Sequence, residues 1–417
     1  GILKVAVDNN STSYYIYRGR RMGYEFELLE DLGKRLGLQI EFVVVSDIDL
    51  AFDFLQDGTV DLIAMNLEQT QERQELALFT YSLGSLSTVL VGMKPSSLPI
   101  SWYAIGTDTI MVRKSAVHKV QLEKIRDSLD LKFTVLESAE HEEALIDKVT
   151  DKEIKWTVAD KNIALVNKTY YEGLDVSLEV SKKGEVAWAV RKNSPVLFEQ
   201  LNTWIEEKRK RFIPDLYSKY FLNPRNNYFR SNSTFSSLAG NQISSYDGLI
   251  KEASKDLGWD WRLLAALVYK ESGFDTTAMS YAGARGLLQL MPVTLERFNV
   301  KNPNDPVESL RGGVKYLKYL DKFWQERVPE TNERLKFILA SYNIGQGHVE
   351  DAWRLTQKYG KNTYSWKDVS IYLNLKSDPE IYRDQVVKSG YAKGHIAVNY
   401  VRDVMGLFDS YKTLIEP

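Results

Sequence analysis

A chain of 417 residues, 44% hydrophobic and 26% charged, holds enough material for two or three domains, each burying its own core. A net charge of −2 excludes the concentrated Lys and Arg excess that a nucleic-acid partner demands. The absence of cysteine excludes thiol catalysis, disulfides and thiolate metal sites, and His118, His141, His348 and His395 are scattered without ligand spacing, so no metal or cofactor is expected. No apolar run reaches the ~18 residues of a membrane span. The start at Gly1 rather than Met leaves room for a removed leader, so membrane attachment is expected through a segment outside this sequence.

In chain order, Leu3–Val7 reads as a strand, Tyr24–Leu36 has helical spacing and Leu38–Val45 is a second strand. Leu50–Gln56 returns to helical spacing and Val60–Met65 to a strand, an alternation that predicts an α/β unit with a largely parallel sheet. Lys208-Arg-Lys-Arg211, after Glu206-Glu207 on a predicted helix, reads as a solvated face.

The residues Gly23-Tyr-Glu-Phe-Glu-Leu28, Asp57-Gly58 with Asp61, Thr70-Gln-Glu-Arg73, Phe79-Thr-Tyr81 and Leu216–Phe221 together resemble the family 3 solute-binding proteins. The resemblance implies a two-lobed module over 1–222, with lobe 1 at about 1–96 and 190–222 and lobe 2 at about 97–189. Such a module closes around its ligand by a hinge. It also implies that Arg73 clamps a ligand carboxylate through its planar guanidinium, while Asp160, in Thr157-Val-Ala-Asp160, receives an amine. Glu68 departs from the family's Ser or Thr, so a wall-derived peptide or an amino acid is the expected effector. The plainer alternative pairs Arg73 with Glu68 or Glu72 at the surface.

Residues 223–241 (NPRNNYFRSNSTFSSLAGN) lose all periodicity and read as a linker. From Ile243 onward helical spacing dominates, in segments 245–257, 260–272, 306–326, 333–344 and 393–411. Asp260 is a candidate cap for the second of these, and Gly273 its stop. Leu263, Leu264, Leu267 and Val268 share a face with Glu271 near that helix's end. Burial and the negative end of the helix dipole both oppose ionisation there, which suits a general acid. A helix-end Glu turned to water is the alternative. Tyr342 and Tyr400 also fall on apolar faces, as core or cleft residues.

Glu271-Ser272, Ser280, Gly286-Leu-Leu-Gln-Leu-Met-Pro292, Ser341-Tyr-Asn-Ile-Gly345 and Asn399-Tyr400-Val401, in that order, resemble the soluble lytic transglycosylase family. Ile396 departs from it, standing where a supporting Glu is frequent. The resemblance implies an all-α, lysozyme-like catalytic domain over 242–417 that cuts the peptidoglycan glycan strand between N-acetylmuramic acid and N-acetylglucosamine. Glu271 would serve first as acid and then as base toward the muramyl C6 hydroxyl, giving a 1,6-anhydro end without water. Ser272, Ser280, Gln289, Met291, Tyr342, Asn343 and Tyr400 would line the sugar site, with Ser272 orienting Glu271. The expected location is the periplasm, at the outer membrane. Two rivals stay open: a goose-type lysozyme-like hydrolase, and a solute receptor whose C-terminal domain only grips the wall.

Overall fold

Short β-rich runs separated by helical spacing produce two larger sheets and a two-stranded hairpin in the first half of the chain. The computed structural model describes residues 1–94, 100–114, 116–222, 229–230 and 232–417. The chain divides into two units, Gly1–Asn241 and Gln242–Pro417. In the first unit, Gln39–Val44, Ile2–Val7 and Leu62–Glu68 run parallel, followed in order by Gly184–Val190 and Leu78–Phe79. Gly184–Val190 is antiparallel to Leu62–Glu68. Helix Tyr24–Leu36 buries Leu28, Leu29 and Leu32 and stops at left-handed Gly37, a conformation that costs glycine little. Helix Ile48–Asp57 packs Ala51, Phe52 and Leu55 against Ile63 and Leu67 of the sheet.

The second sheet has the order Thr134–Ser138, Thr109–Arg113, Trp156–Asp160, Thr88–Met93, Leu174–Asp175. Two lobes are therefore present, but the chain changes lobes earlier than 97 and 190. Thr88–Met93 pairs antiparallel with Trp156–Asp160 and so already belongs to the second sheet. Gly184–Val190 has returned to the first. Both runs are apolar enough to sit in either lobe, and only their hydrogen-bond partners decide. The boundary expected at 97 itself lies outside the described residues.

The stretch read as a linker also needs correction. Residues 223–228 and 231 lie outside the description, but 232–241 fold onto the first unit. The hairpin Tyr15–Tyr17 and Arg20–Met22 turns through Arg18 and Gly19, both at positive φ. Against it lies Phe235–Ser237: Arg18 N–H donates to the Phe235 carbonyl at 2.9 Å, and Ser237 N–H to Ile16 at 3.0 Å. The serines here supply turns; Ser233 and Ser236 hydroxyls accept from the Phe235 and Leu238 amides.

The second unit is helical. Trp261–Ser272 packs against Asp247–Leu257 and Gly394–Leu414, while Thr331–Ile344 packs against Pro306–Gln325 and Gly394–Leu414. Gln346–Lys358 and Trp366–Asn374 pair beside them. Asp351, fully buried on Gln346–Lys358, meets the equally buried Lys376 ammonium and the Arg354 guanidinium. It also accepts the backbone N–H groups of Lys388 and Ser389, each at 2.8 Å. This hub holds the turn leading into Gly394–Leu414. At that helix's first residue only glycine fits, since a Cβ on Gly394 would stand 1.7 Å from the Leu373 carbonyl oxygen.

Candidate active site and regulatory cleft

Asp260 caps Trp261–Ser272 by accepting the Arg262 N–H at 2.9 Å, and left-handed Gly273 ends the helix on the Tyr269 carbonyl. Between these stops, Leu263, Leu264, Leu267 and Val268 are buried to within 1%. Glu271 follows on the same face, half-buried. Burial pushes its carboxyl up to about 7, against opposing pulls from the Tyr400 hydroxyl and the Lys270 charge. Tyr400, buried on Gly394–Leu414, donates its O–H to Glu271 Oε1. Burial first, and then the nearby Glu271 charge, hold that phenol well above its ordinary range, so it remains a donor.

The loop after Gly273 is held by its own bonds. Arg285 bridges both Met279 and Leu290. Gly286, at φ 77°, sits where a Cβ would lie 2.0 Å from the Pro303 carbonyl oxygen. Gln289 spends its amide N–H groups on the Ala278 and Gly286 carbonyls, at 2.9 and 3.0 Å. Ser280 Oγ accepts the Ala284 N–H at 3.0 Å. Tyr342 donates its hydroxyl to the Leu288 carbonyl, and its ring lies 5.2 Å from that of Tyr316. Behind it, Trp324 donates to Ser341 Oγ at 2.8 Å.

Tyr400 is thus brought onto Glu271, while Gln289, Ser280 and Tyr342 tie the loop together. Ser272 differs from expectation: its hydroxyl donates to the Val268 carbonyl at 3.2 Å, a back-bond one turn down its own helix. Asn343 and Met291 are exposed. Sequence reasoning missed Tyr316, an aromatic on an apolar helix face and indistinguishable there from core.

A carboxyl with a raised pKa has a thermodynamic cost. In the unfolded chain Glu271 titrates near 4.5 and in the fold near 7, so its favourable contribution is complete below 4.5 and lost as pH rises through 7. The differential is about 3 kcal/mol at most. Glu271→Gln is therefore expected to raise the melting temperature of the second unit by several degrees at pH 8 and by little at pH 4.5. Calorimetric scans at the two pH values measure the difference, and equal shifts at both would contradict it.

In the first unit, Arg73 and Asp160 line one cleft between the lobes. Thr70 caps helix Gln71–Leu76, and Arg73 Nη1 donates to the Glu68 carbonyl oxygen at 3.1 Å, with the guanidinium over the Phe52 ring. Asp160 ends its strand, and burial pushes its carboxyl to about 7 despite Arg113, with Glu68 adding to the rise. The lobes also bond directly. Arg113 reaches Asp8 at 2.6 Å, Gln121 donates to Glu68 at 3.1 Å, and Glu143 accepts the Ser11 N–H at 3.0 Å and its hydroxyl. None of Arg113, Gln121 or Glu143 stands out by sequence pattern.

Comparison with known proteins adds two family matches. The model of the transglycosylase SLT domain matches residues 248–365, and that of the bacterial extracellular solute-binding proteins, family 3, matches residues 3–223. A membrane-bound lytic murein transglycosylase F from Desulfosudis oleivorans is 32% identical over 414 residues, covering 99% of this chain and 90% of the relative. Another from Aeromonas salmonicida is 32% identical over 412 residues, covering 98% and 82%. Among solved structures, an ancestral arginine-binding protein bound to arginine aligns at 22% identity and a TM-score of 0.47, covering 53% of this chain and 98% of that one. Tyr400 lies beyond the SLT match, so its place beside Glu271 is a finding of the fold.

Proposed function

From the premise that this chain belongs to the membrane-bound lytic murein transglycosylase F family, and so is a peptidoglycan lytic transglycosylase, we propose that Glu271 is its single acid and base. One observation carries the assignment: a half-buried carboxyl, raised to about 7, with the Tyr400 O–H on one of its oxygens. Because Oε1 accepts from Tyr400, the acid's proton belongs on Oε2, the oxygen left to face a glycosidic bond. Proton transfer to the bond oxygen leaves a carboxylate that Tyr400 stabilises with a charge-assisted hydrogen bond. The same carboxylate then takes the proton of the muramyl C6 hydroxyl as that oxygen closes on the anomeric carbon. Atoms balance without water, and the product is a 1,6-anhydro end.

Two-carboxylate hydrolysis would require a second acid across the bond. Ile396 stands where a supporting Glu is frequent in the family, which favours the one-acid reading. Ser280, Gln289, Met291, Tyr342, Asn343 and Tyr400 are proposed to form the sugar-binding walls. Ser272 is left to the helix end. The test is mass spectrometry of digested peptidoglycan. Fragments one water lighter than reducing-end muropeptides are expected; reducing ends would instead indicate a lysozyme-like hydrolase, and no release a wall-gripping receptor.

For the first unit we propose an effector role, with Arg73 and Asp160 recognising the two charges of an amino acid or wall-derived peptide. Effector and turnover are coupled only if the effector prefers one lobe arrangement. Turnover in the same assay should shift on adding muropeptide, and an unchanged rate with binding demonstrated would refute the coupling. The relatives' description as membrane-bound supports a periplasmic, membrane-associated location, proposed to be the outer membrane. No helix among the described residues is long and apolar enough to cross a membrane, so attachment would use another segment.

A further inference from the structure

Three side chains far apart in sequence converge in the cleft of the first unit. His118 opens helix His118–Ser128, Glu142 opens helix Glu142–Thr150, and Asp160 ends strand Trp156–Asp160 ahead of helix Lys161–Lys168. One ligand atom from each lies within 4.8 Å of the other two. His118 is 3% exposed and Glu142 7%. His118 Nδ1 is buried with no hydrogen-bond partner, and Nε2 stands 3.8 Å from Glu142 Oε1, too far for a hydrogen bond. Asp8, on the facing lobe, likewise keeps Oδ1 buried and unpartnered.

Charge gives this convergence a direction. The cavity is lined by Asp8, Glu25, Glu68, Glu142, Glu143 and Asp160 against the cations Arg73 and Arg113. Arg113 already pairs with Asp8, and Glu143 with Ser11. Glu142 and Asp160 therefore share Arg113, itself paired to Asp8, as their counter-charge, and although Glu142 Oε2 accepts the Asp160 N–H at 2.9 Å, burial and mutual repulsion drive the Glu142 carboxyl well above its usual range. Burial holds the His118 imidazole neutral, the form that ligates metals. The cavity, ≈ 70 Å³, runs along the cleft between the lobes and takes in these three side chains together with Arg73.

We propose that His118, Glu142 and Asp160 bind one divalent transition-metal cation in this cleft. One imidazole and two carboxylates form a mixed donor set suited to Zn²⁺ or Mn²⁺ rather than to the all-oxygen cages of Ca²⁺ and Mg²⁺. The ion would let both carboxylates ionise and would give His118 its missing partner. All three ligands lie on one lobe, with Asp8 facing them from the other. This site lies in the first unit, whereas Glu271 belongs to the second, and it shares Asp160 and the cleft with the proposed effector site.

The full chain, freed of metal with a chelator, is titrated with ZnCl₂ and MnCl₂ by calorimetry, with CaCl₂ and MgCl₂ as controls. One transition-metal ion per chain is expected, with affinity at least tenfold weaker in Glu142→Gln, Asp160→Asn and His118→Gln. Anomalous diffraction from Zn²⁺-soaked wild-type crystals should place the ion about 2.0–2.2 Å from the three side chains, a readout that survives a variant's failure to fold. An anomalous peak elsewhere overturns the proposal. So does tighter Ca²⁺ than Zn²⁺ binding, absence of saturable binding, or unchanged affinity in folded variants.

Discussion

Glu271→Gln is expected to lower peptidoglycan turnover by about 10²–10⁴-fold or more, with little change in the substrate concentration at half-maximal rate. Gln keeps the shape and still accepts the Tyr400 hydrogen bond, so binding survives. What disappears is the carboxyl that gives a proton to the bond oxygen and takes one back from the C6 hydroxyl in each cycle, so under the one-acid reading no second group rescues either step. The pH dependence of the unmodified chain supplies an independent check. Only protonated Glu271 starts the reaction, so kcat/KM should fall about tenfold per pH unit above about 7, the value to which burial lifts this carboxyl. Removing the Tyr400 hydroxyl in Tyr400→Phe takes away a pull toward ionisation, moving that limb to higher pH while slowing the reaction. A Gln variant within threefold of normal turnover, or a limb near pH 4.5, would dismiss Glu271 as the acid.

Asp351→Ala should destabilise the second unit by about 3–5 kcal/mol, a large share of the about 5–15 kcal/mol by which a domain is stable. The mutation leaves the Lys376 ammonium buried without its counter-ion and strands the Lys388 and Ser389 amides. The Asp351 carboxyl is itself held below its usual range because Lys376 and those amides outweigh the penalty of burial. Changing both partners, Asp351→Ala with Lys376→Met, should recover part of the loss, since an apolar pair costs less than half an ion pair. Urea denaturation of the three proteins decides: a single-mutant loss below about 1 kcal/mol, or no recovery in the double, would remove the hub's role. Because the hub leads into the helix bearing Tyr400, the single mutant should also lose activity below its melting transition.

How far the sequence reached depended on how local the determinants were. Helix Trp261–Ser272 was legible because Asp260, the leucine face and Gly273 act within one element. Tyr24–Leu36 was equally legible, closed by Gly37. Helices Gln346–Lys358 and Trp366–Asn374 were not picked out individually, the second having fewer than three turns of pattern. The Glu271–Tyr400 contact spans 129 positions, and spacing carries no information at that range. The motif resemblance pointed to Tyr400, and packing of two helices placed it. His118 and Glu142 stayed hidden for the same reason, gathered beside Asp160 from three helix starts by one sheet. Lobe boundaries moved because an apolar run such as Val89-Leu-Val91 fits either sheet until its hydrogen-bond partners are known.

The contact of Phe235–Ser237 with the hairpin bears on how the two units are produced separately. Truncation at 222, where the solute-binding resemblance ends, would strip a cover from Tyr15–Tyr17 and leave Ile16 with an open amide and carbonyl. A bare, apolar sheet edge invites pairing with another molecule. A first unit ending at Asn241 keeps that edge shielded, so the two truncations should differ in solubility at equal concentration.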